Sequence, residues 1–281
     1  MSTVPFRYLH HLVTVPVLVG GIEATFVLDS GIGLTLVSGS LATSAGCELT
    51  GSMYTGHRMS GQEVAIPLGA LGSLALGRYR RDDLVVGIFD IAGLEGVEGF
   101  LSLDFFRSIP VTVDYPAGVI VLEGAKPMTA RAESGIAVDV RVEQDAHSTT
   151  VFLPFDVPGR GSISVEVDMG SDSLIVDEAL ADDLGINLCA ASTRRVEGRD
   201  ETGHEYVRYF TPLQGVVNVT GAPSICQRDP KAMFQKIIYD GLVGDAFLRN
   251  FVVTYDLPNA RMIFGSPKGR LGMVPPERPA I

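Results

Sequence analysis

Two short runs in this sequence place a carboxylate where an apolar strand ends: Phe26-Val27-Leu28-Asp29-Ser30-Gly31 and Val165-Glu166-Val167-Asp168-Met169-Gly170. In each, a glycine stands two residues after the acid, so the backbone can come close to a carboxylate and donate N–H groups to it. If the two runs face each other, the acids form a pair. Two adjacent carboxylates cannot both ionise easily; one pKa rises and the pair keeps a proton. The ionised member can then take a proton from a water held between them, while the neutral member hydrogen-bonds a carbonyl. Taken singly, either acid is an ordinary turn residue accepting backbone N–H bonds. The chemistry depends on the pairing.

The pairing is predicted by an internal repeat. Aligning Asp29 with Asp168 also aligns Gly31 with Gly170, Val37 with Val176, Leu41-Ala42 with Leu180-Ala181, Gly46 with Gly185 and Leu49 with Leu188, without a gap. Two further blocks follow at a slightly larger offset. Gly56 to Glu63 matches Gly198 to Glu205, and Arg107 to Pro116 matches Arg249 to Pro258. Three blocks in one order indicate a tandem duplication, and two units are too few for a solenoid. They predict a pseudo-twofold pair, with equivalent residues meeting near its axis.

The elements that must position the acids read as strands. His11 to Val19 is extended, Gly20-Gly21 makes a hairpin turn, and Ile22–Leu28 returns. After the acid, Leu34 to Val37 is β-like, and Ser38 to Gly46 reads as one or two helical turns with Ser38 as N-cap and Gly46 as terminator. In the second copy Asp177 takes the cap position and Gly185 ends the turn. Frequent glycine and short helix-period patterns point to a mainly β, all-β architecture. We expect a first lobe over 1–125, a polar linker over 126–147, a second lobe over 148–265 and a loosely packed tail over 266–281. Part of the linker, Gly135 to Val142, alternates apolar and polar residues and is expected to form a bridging strand.

The chain has 281 residues, enough to bury a substantial core. A net charge of −11 argues against non-specific binding to nucleic acid. No apolar run approaches the roughly 20 residues that span a bilayer, and Arg7, His10 and His11 interrupt the early apolar residues where a secretion signal would need an unbroken core. Cys47, Cys189 and Cys226 show neither a disulfide framework nor zinc-ligand spacing, and are expected to be reduced, buried thiols of a cytoplasmic protein. The five histidines lack metal-ligand spacing, and the acids from Asp172 to Asp183 are spaced wrongly for a calcium loop. No metal and no cofactor are expected.

At this point the residues resemble a known family. Leu28-Asp29-Ser30-Gly31 resembles the active-site turn of aspartic peptidases, whose signature is Asp-Thr/Ser-Gly. Asp240 to Phe251 resembles the hydrophobic-hydrophobic-glycine segment of pepsin-like enzymes, and Gly99 to Phe106 looks like the matching segment of retropepsin-like domains. The resemblance covers roughly residues 10–265. It implies a bilobal acid-protease fold: two duplicated β-barrel-like lobes with a cleft between them, each lobe supplying one Asp, and hairpins closing as flaps. By that resemblance Asp29 and Asp168 are catalytic and Ser30, Gly31, Gly170 and Ser171 form the active-site turns. Gly56, Ser60, Gly61, Gly198, Thr202 and Gly203 are implied as flap residues. Tyr54 reads either as a flap aromatic or as a packed strand tyrosine.

Three departures from the family pattern stand out. Met169 replaces the usual hydroxyl residue of the second turn, so that lobe has no side-chain hydroxyl to send across the axis. Ile32 follows the first turn where a hydroxyl often bonds the carboxylate, while Ser171 supplies one in the second. Ser102 stands where glycine is usual, with an expected strain of roughly 1 kcal/mol. The reading is an aspartic endopeptidase acting on peptide or protein substrates as a monomer, without nucleic-acid or membrane partners. The rival is a catalytically silent peptide-binding module, and a third possibility is a relative of the fold acting on another substrate.

Overall fold

The computed structural model describes residues 2–90, 93–122, 131–199 and 204–265, and these are mainly strand. Gly20 and Gly21 both have positive φ (57° and 88°), the torsions of a tight two-residue hairpin turn. They fold Leu12–Val19 back on Ile22–Leu28, with Val19 opposite Ile22. At the end of that second strand Phe26, Val27 and Leu28 are all buried. Burial on both faces explains why the sequence there reads as a continuous apolar run rather than an alternation.

The acid-bearing strand is paired on both edges, by Leu12–Val19 on one side and Gly99–Leu101 on the other. Ile22–Leu28 runs parallel to Gly99–Leu101, which is antiparallel to Leu36–Val37, which in turn runs parallel to Tyr79–Ile88. The second half repeats the arrangement. Gly161–Val167 is parallel to Gly241–Val243, which is antiparallel to Leu174–Asp177, and that strand is parallel to Lys231–Gln235. The short helical turns also correspond. Ser38 accepts from the Leu41 N–H before the helix Gly39–Ser44, and Asp177 accepts from the Ala179 N–H before the 3-10 turn Glu178–Leu180. Gly46 and Gly185 follow, with φ of 67° and 68°.

A six-stranded antiparallel sheet joins the halves, in the order Ser2–Pro5, Val119–Leu122, Val111–Asp114, Val252–Asp256, Arg261–Gly265, Ile136–Asp139. At its centre Thr112 pairs with Thr254, and their hydroxyls are 2.7 Å apart and buried. These two residues are equivalent in the repeat, so a pseudo-twofold axis runs between them. One continuous apolar core extends through both halves and this sheet, from Phe26 and Phe105 to Phe155, Phe247 and Tyr255.

Two expectations need correcting. The segment 126–147 is not a linker where it is described. Ile136–Asp139 pairs with Arg261–Gly265, and Arg141–Gln144 pairs with Thr149–Val157, the places that Ser2–Pro5 and Arg7–Leu9 hold in the first half. The second unit therefore begins near Ile136. The single bridging strand expected over Gly135 to Val142 is split at Val140, whose N–H goes to the Ala260 carbonyl at 3.0 Å. Edge strands that bury little carry a polar composition and so resemble a linker in sequence. The cysteines are free as expected, yet only Cys47 is even half-buried. Cys189 lies in a surface turn and Cys226 on the outermost strand of its sheet, and both are exposed. The tail 266–281 lies outside the described residues.

Candidate active site

The two acids are delivered by matching backbone contacts. The Asp29 N–H donates to the Leu101 carbonyl and the Asp168 N–H to the Val243 carbonyl, each at 3.0 Å. Gly31 N–H donates to Asp29 Oδ1 and Gly170 N–H to Asp168 Oδ1, each at 2.8 Å. The carboxyl groups then meet each other across the axis and share a hydrogen bond. Both glycines are required by proximity rather than by torsion. A Cβ on Gly31 would lie under 3.0 Å from the Asp168 carboxyl, and one on Gly170 under 3.0 Å from that of Asp29.

One hydroxyl fixes the two turns against each other. Ser30, fully buried, donates to the Val167 carbonyl at 2.7 Å and accepts from the Met169 N–H at 2.9 Å. Met169 occupies the equivalent place in the second turn, 1% exposed, and contributes packing alone. Ser171 acts through its backbone: its N–H donates to the Asp168 carbonyl, and its carbonyl accepts from the Asp245 N–H at 2.8 Å. Among the described residues its hydroxyl bonds no carboxylate, so that expectation is replaced. Ser102 is also unstrained. Its φ of −82° and ψ of 167° are ordinary extended values, and its hydroxyl lies 3.1 Å from Thr35 Oγ1 while accepting from the Asp104 N–H. At the equivalent Gly244 the backbone is likewise extended, but a Cβ would fall under 3.0 Å from the Ser171 carbonyl. Glycine is needed there for room.

The environment separates the two acids. Burial lifts the Asp168 carboxyl well above its ordinary range, and the charges of Asp29 and Glu166 lift it further. Burial also raises Asp29, but hydrogen bonds from the Gly31, Ile32 and Gly170 backbone and from Asp168 oppose that rise. Both carboxyls are raised by burial, so the pair retains one proton and titrates as a unit. The arrangement can polarise a carbonyl on one side and deprotonate a water on the other. No cluster of metal ligands occurs among the described residues, and no helix there is long and apolar enough to cross a membrane.

The first hairpin, Glu48–His57 with Glu63–Leu76, reaches the other half of the molecule. The Ile238 N–H donates to the Met59 carbonyl at 2.9 Å, and Met59 packs on Ile175, Met233, Ile237 and Leu242. Ser60 and Gly61 form the tip. Gly61 has φ 82°, and a Cβ on it would press on Ile238 at 2.9 Å. Tyr54 packs with Ile32, Leu34, Leu36 and Leu68 just behind the first turn, and a Cβ on Gly56 would touch its ring at 3.1 Å. In the second hairpin, Arg194–Arg199 with Glu205–Pro212, Gly198 lies opposite Tyr206, whose ring fills the space a Cβ would need. Thr202 and Gly203 lie outside the described residues.

Sequence reasoning passed over two groups at this site. Glu166, two residues before Asp168, is 5% exposed, and burial and Asp29 push its carboxyl up to about 8. The signal was available: a carboxylate between two valines, on the same strand face as the candidate acid. Tyr255 lies fully buried beneath the turns with its hydroxyl beside Ser30. It sits in an apolar strand where an aromatic residue is unremarkable, so no local pattern marks it.

Comparison with known proteins agrees with this geometry. A family model described as aspartyl protease matches residues 15–105, the span that carries Asp29 and the first hairpin. Over that span the chain is similar to aspartyl proteases. Its fold is similar to that of basic 7S globulin from soybean, with a TM-score of 0.54 at 9% identity over 94% of each chain. It is equally similar to conglutin gamma, a unique basic 7S globulin from lupine seeds, with a TM-score of 0.54 at 12% identity over 95% of each chain. No match was found among curated protein sequences. The bilobal, mainly β acid-protease-like architecture thus extends well beyond the span that the family model covers.

Proposed function

We propose that this chain is an aspartic endopeptidase, with both catalytic acids supplied by one chain after a tandem duplication. The observation that carries the reading is the carboxyl pair itself: equivalent residues of the two halves, meeting over glycines that leave room for nothing larger. A water between the acids gives a proton to Asp29 as its oxygen attacks the peptide carbonyl, and the Asp168 proton moves to the developing oxyanion. On collapse the C–N bond breaks, Asp29 passes its proton to the leaving nitrogen, and Asp168 recovers its own. The substrate is an extended peptide under the first hairpin, held by main-chain hydrogen bonds and read by alternate side chains.

A second reading, a silent peptide-binding module, is favoured by one observation. Met169 leaves the cross-axis lock to Ser30 alone. Asp29→Asn and Asp168→Asn separate the two. The endopeptidase reading expects each to lower kcat at least about 100- to 10,000-fold, the span of general acid–base contributions, with the fold retained by circular dichroism. Absence of cleavage by the unaltered chain from acid to neutral pH, with peptide binding intact in all three proteins, selects the module.

A further inference from the structure

Glu166 faces the same way as Asp168, because alternate residues of Gly161–Val167 share one face of the sheet. Phe152 lies directly opposite it on one neighbouring strand and Leu242 on the other. The Tyr239 ring meets Phe152 edge to face at 5.0 Å. In the first lobe the equivalent place holds Val27, fully buried against Leu12 and Val97. The second lobe therefore carries an acid in an aromatic and aliphatic frame where its twin is filled by aliphatic packing. With 5% of its surface left open, Glu166 has no hydrogen-bond or ion-pair partner among the described residues. A buried polar group left unpaired is costly, and a donor arriving from outside would relieve that cost.

We propose that Glu166, framed by Phe152 and Tyr239, is the charge-reading residue of a subsite beside the carboxyl pair that receives a lysine or arginine side chain of the bound peptide. The proposal rests on the peptide reading above for the presence of a peptide, and adds the chemistry of its side chain. Two features favour a cation over a neutral donor. Aromatic rings beside a carboxylate suit an ammonium or guanidinium group. The groups facing Glu166 are Asp29, Asp168 and Tyr239, with Tyr54 near Tyr239, and none of them is a cation. Arg141 stacks over Phe152 at 4.0 Å and pairs with Glu143, so it leaves Glu166 unneutralised. Because burial holds the empty carboxyl up to about 8, a bound cation would displace its proton at neutral pH.

The test uses two statine-containing peptides, identical except for lysine or norleucine beside the statine, titrated calorimetrically into the full chain at pH 7. The expected result is about 10- to 100-fold tighter binding of the lysine peptide, the range of a hydrogen bond to a charged group. In Glu166→Gln, a near-isosteric change, the ratio of the two affinities should fall close to one. Proton release on lysine-peptide binding, read from the buffer dependence of the heat, should disappear as well. Equal affinities in the unaltered chain, or a preference that survives Glu166→Gln, would overturn the inference and leave the peptidase reading standing. Failure of both peptides to bind would overturn both readings.

Discussion

Where the first lobe sends the Ser30 hydroxyl across the axis, the second offers Met169; where the first has Val27, the second has Glu166. A third contrast lies behind the turns, where Ser102 stands opposite the place of Gly244. All three pairs sit on backbones that follow the same path and make matching contacts to the acids. The strand frame and the glycine beside each acid thus set the position of a carboxyl group. The side chains around it are free to diverge into a lock, a filler, or a subsite. One lobe holds the site together and the other carries the features that a ligand could read.

A large effect should come from breaking the contrast behind the turns. Gly244→Ala drives a Cβ into the Ser171 and Ser173 carbonyls, which belong to backbone and cannot swing aside. Overpacking of this kind costs about 1–3 kcal/mol or more, and it would also displace the segment after Asp168. Ser102→Gly at the equivalent place should cost only about 1 kcal/mol, through loss of the cap to Asp104 and the bond to Thr35. Urea unfolding of the two variants compares them directly. Equal losses would mean that the lobes are packed alike behind their turns.

The second contrast predicts a pH dependence. The folded pKa of Glu166, about 8, lies above its ordinary value of 4.5. Below 4.5 both folded and unfolded chains hold the proton, and nothing is lost. As pH rises toward 8 the unfolded chain ionises first, so stability falls by up to roughly 1.4 kcal/mol per unit, and beyond 8 the loss levels off. Glu166→Gln should therefore match the unaltered chain in Tm near pH 4 and exceed it by at least a few degrees at pH 8. Some slope should remain, because Asp29 and Asp168 are raised in the same direction. Parallel curves for both proteins would mean that Glu166 ionises as an exposed glutamate does.

Much of this arrangement could be read from the sequence, and the exceptions have physical causes. Asp29 stood out because its buried strand ends in an unbroken apolar run, Asp168 because the repeat aligns it with Asp29, and the glycines marked a close approach. The hairpin turn at Gly20-Gly21 and the caps at Ser38 and Asp177 were legible because each depends on one or two neighbouring residues. The alternation over Gly135 to Val142 pointed to a strand, but its split into Ile136–Asp139 and Arg141–Gln144 and their place in the second unit were hidden, because an edge strand's partner is distant in sequence and its composition is polar. Ser102 was misread for a related reason. Its tolerance depends on what stands opposite its Cβ, and that spacing is tertiary. Glu166 was visible as a letter, but its burial and lack of a partner were not.

The contrast between Ser30 and Met169 tests whether the one-sided lock is a defect, and its reverse change carries the smallest expected effect. Ser30→Ala removes both bonds across the axis and leaves the Val167 carbonyl and Met169 N–H without that partner in a buried turn. Each buried group left unsatisfied costs about 1–3 kcal/mol, so Tm should fall by several degrees and activity with it. Met169→Thr attempts the reverse. By the symmetry of the turns, the new hydroxyl would lie where it can donate to the Leu28 carbonyl and accept from the Ser30 N–H, completing a reciprocal pair. Against those bonds stands the lost volume of a methionine that is 1% exposed and part of the main core. The two effects are of similar size and opposite sign, so the net change should lie within about 1 kcal/mol. If Ser30 alone suffices to register the turns, kcat should stay level or rise slightly in Met169→Thr. Cleavage that appears only in this variant would show that the unaltered second turn silences the pair, and that the divergence between the lobes had cost the site its catalysis.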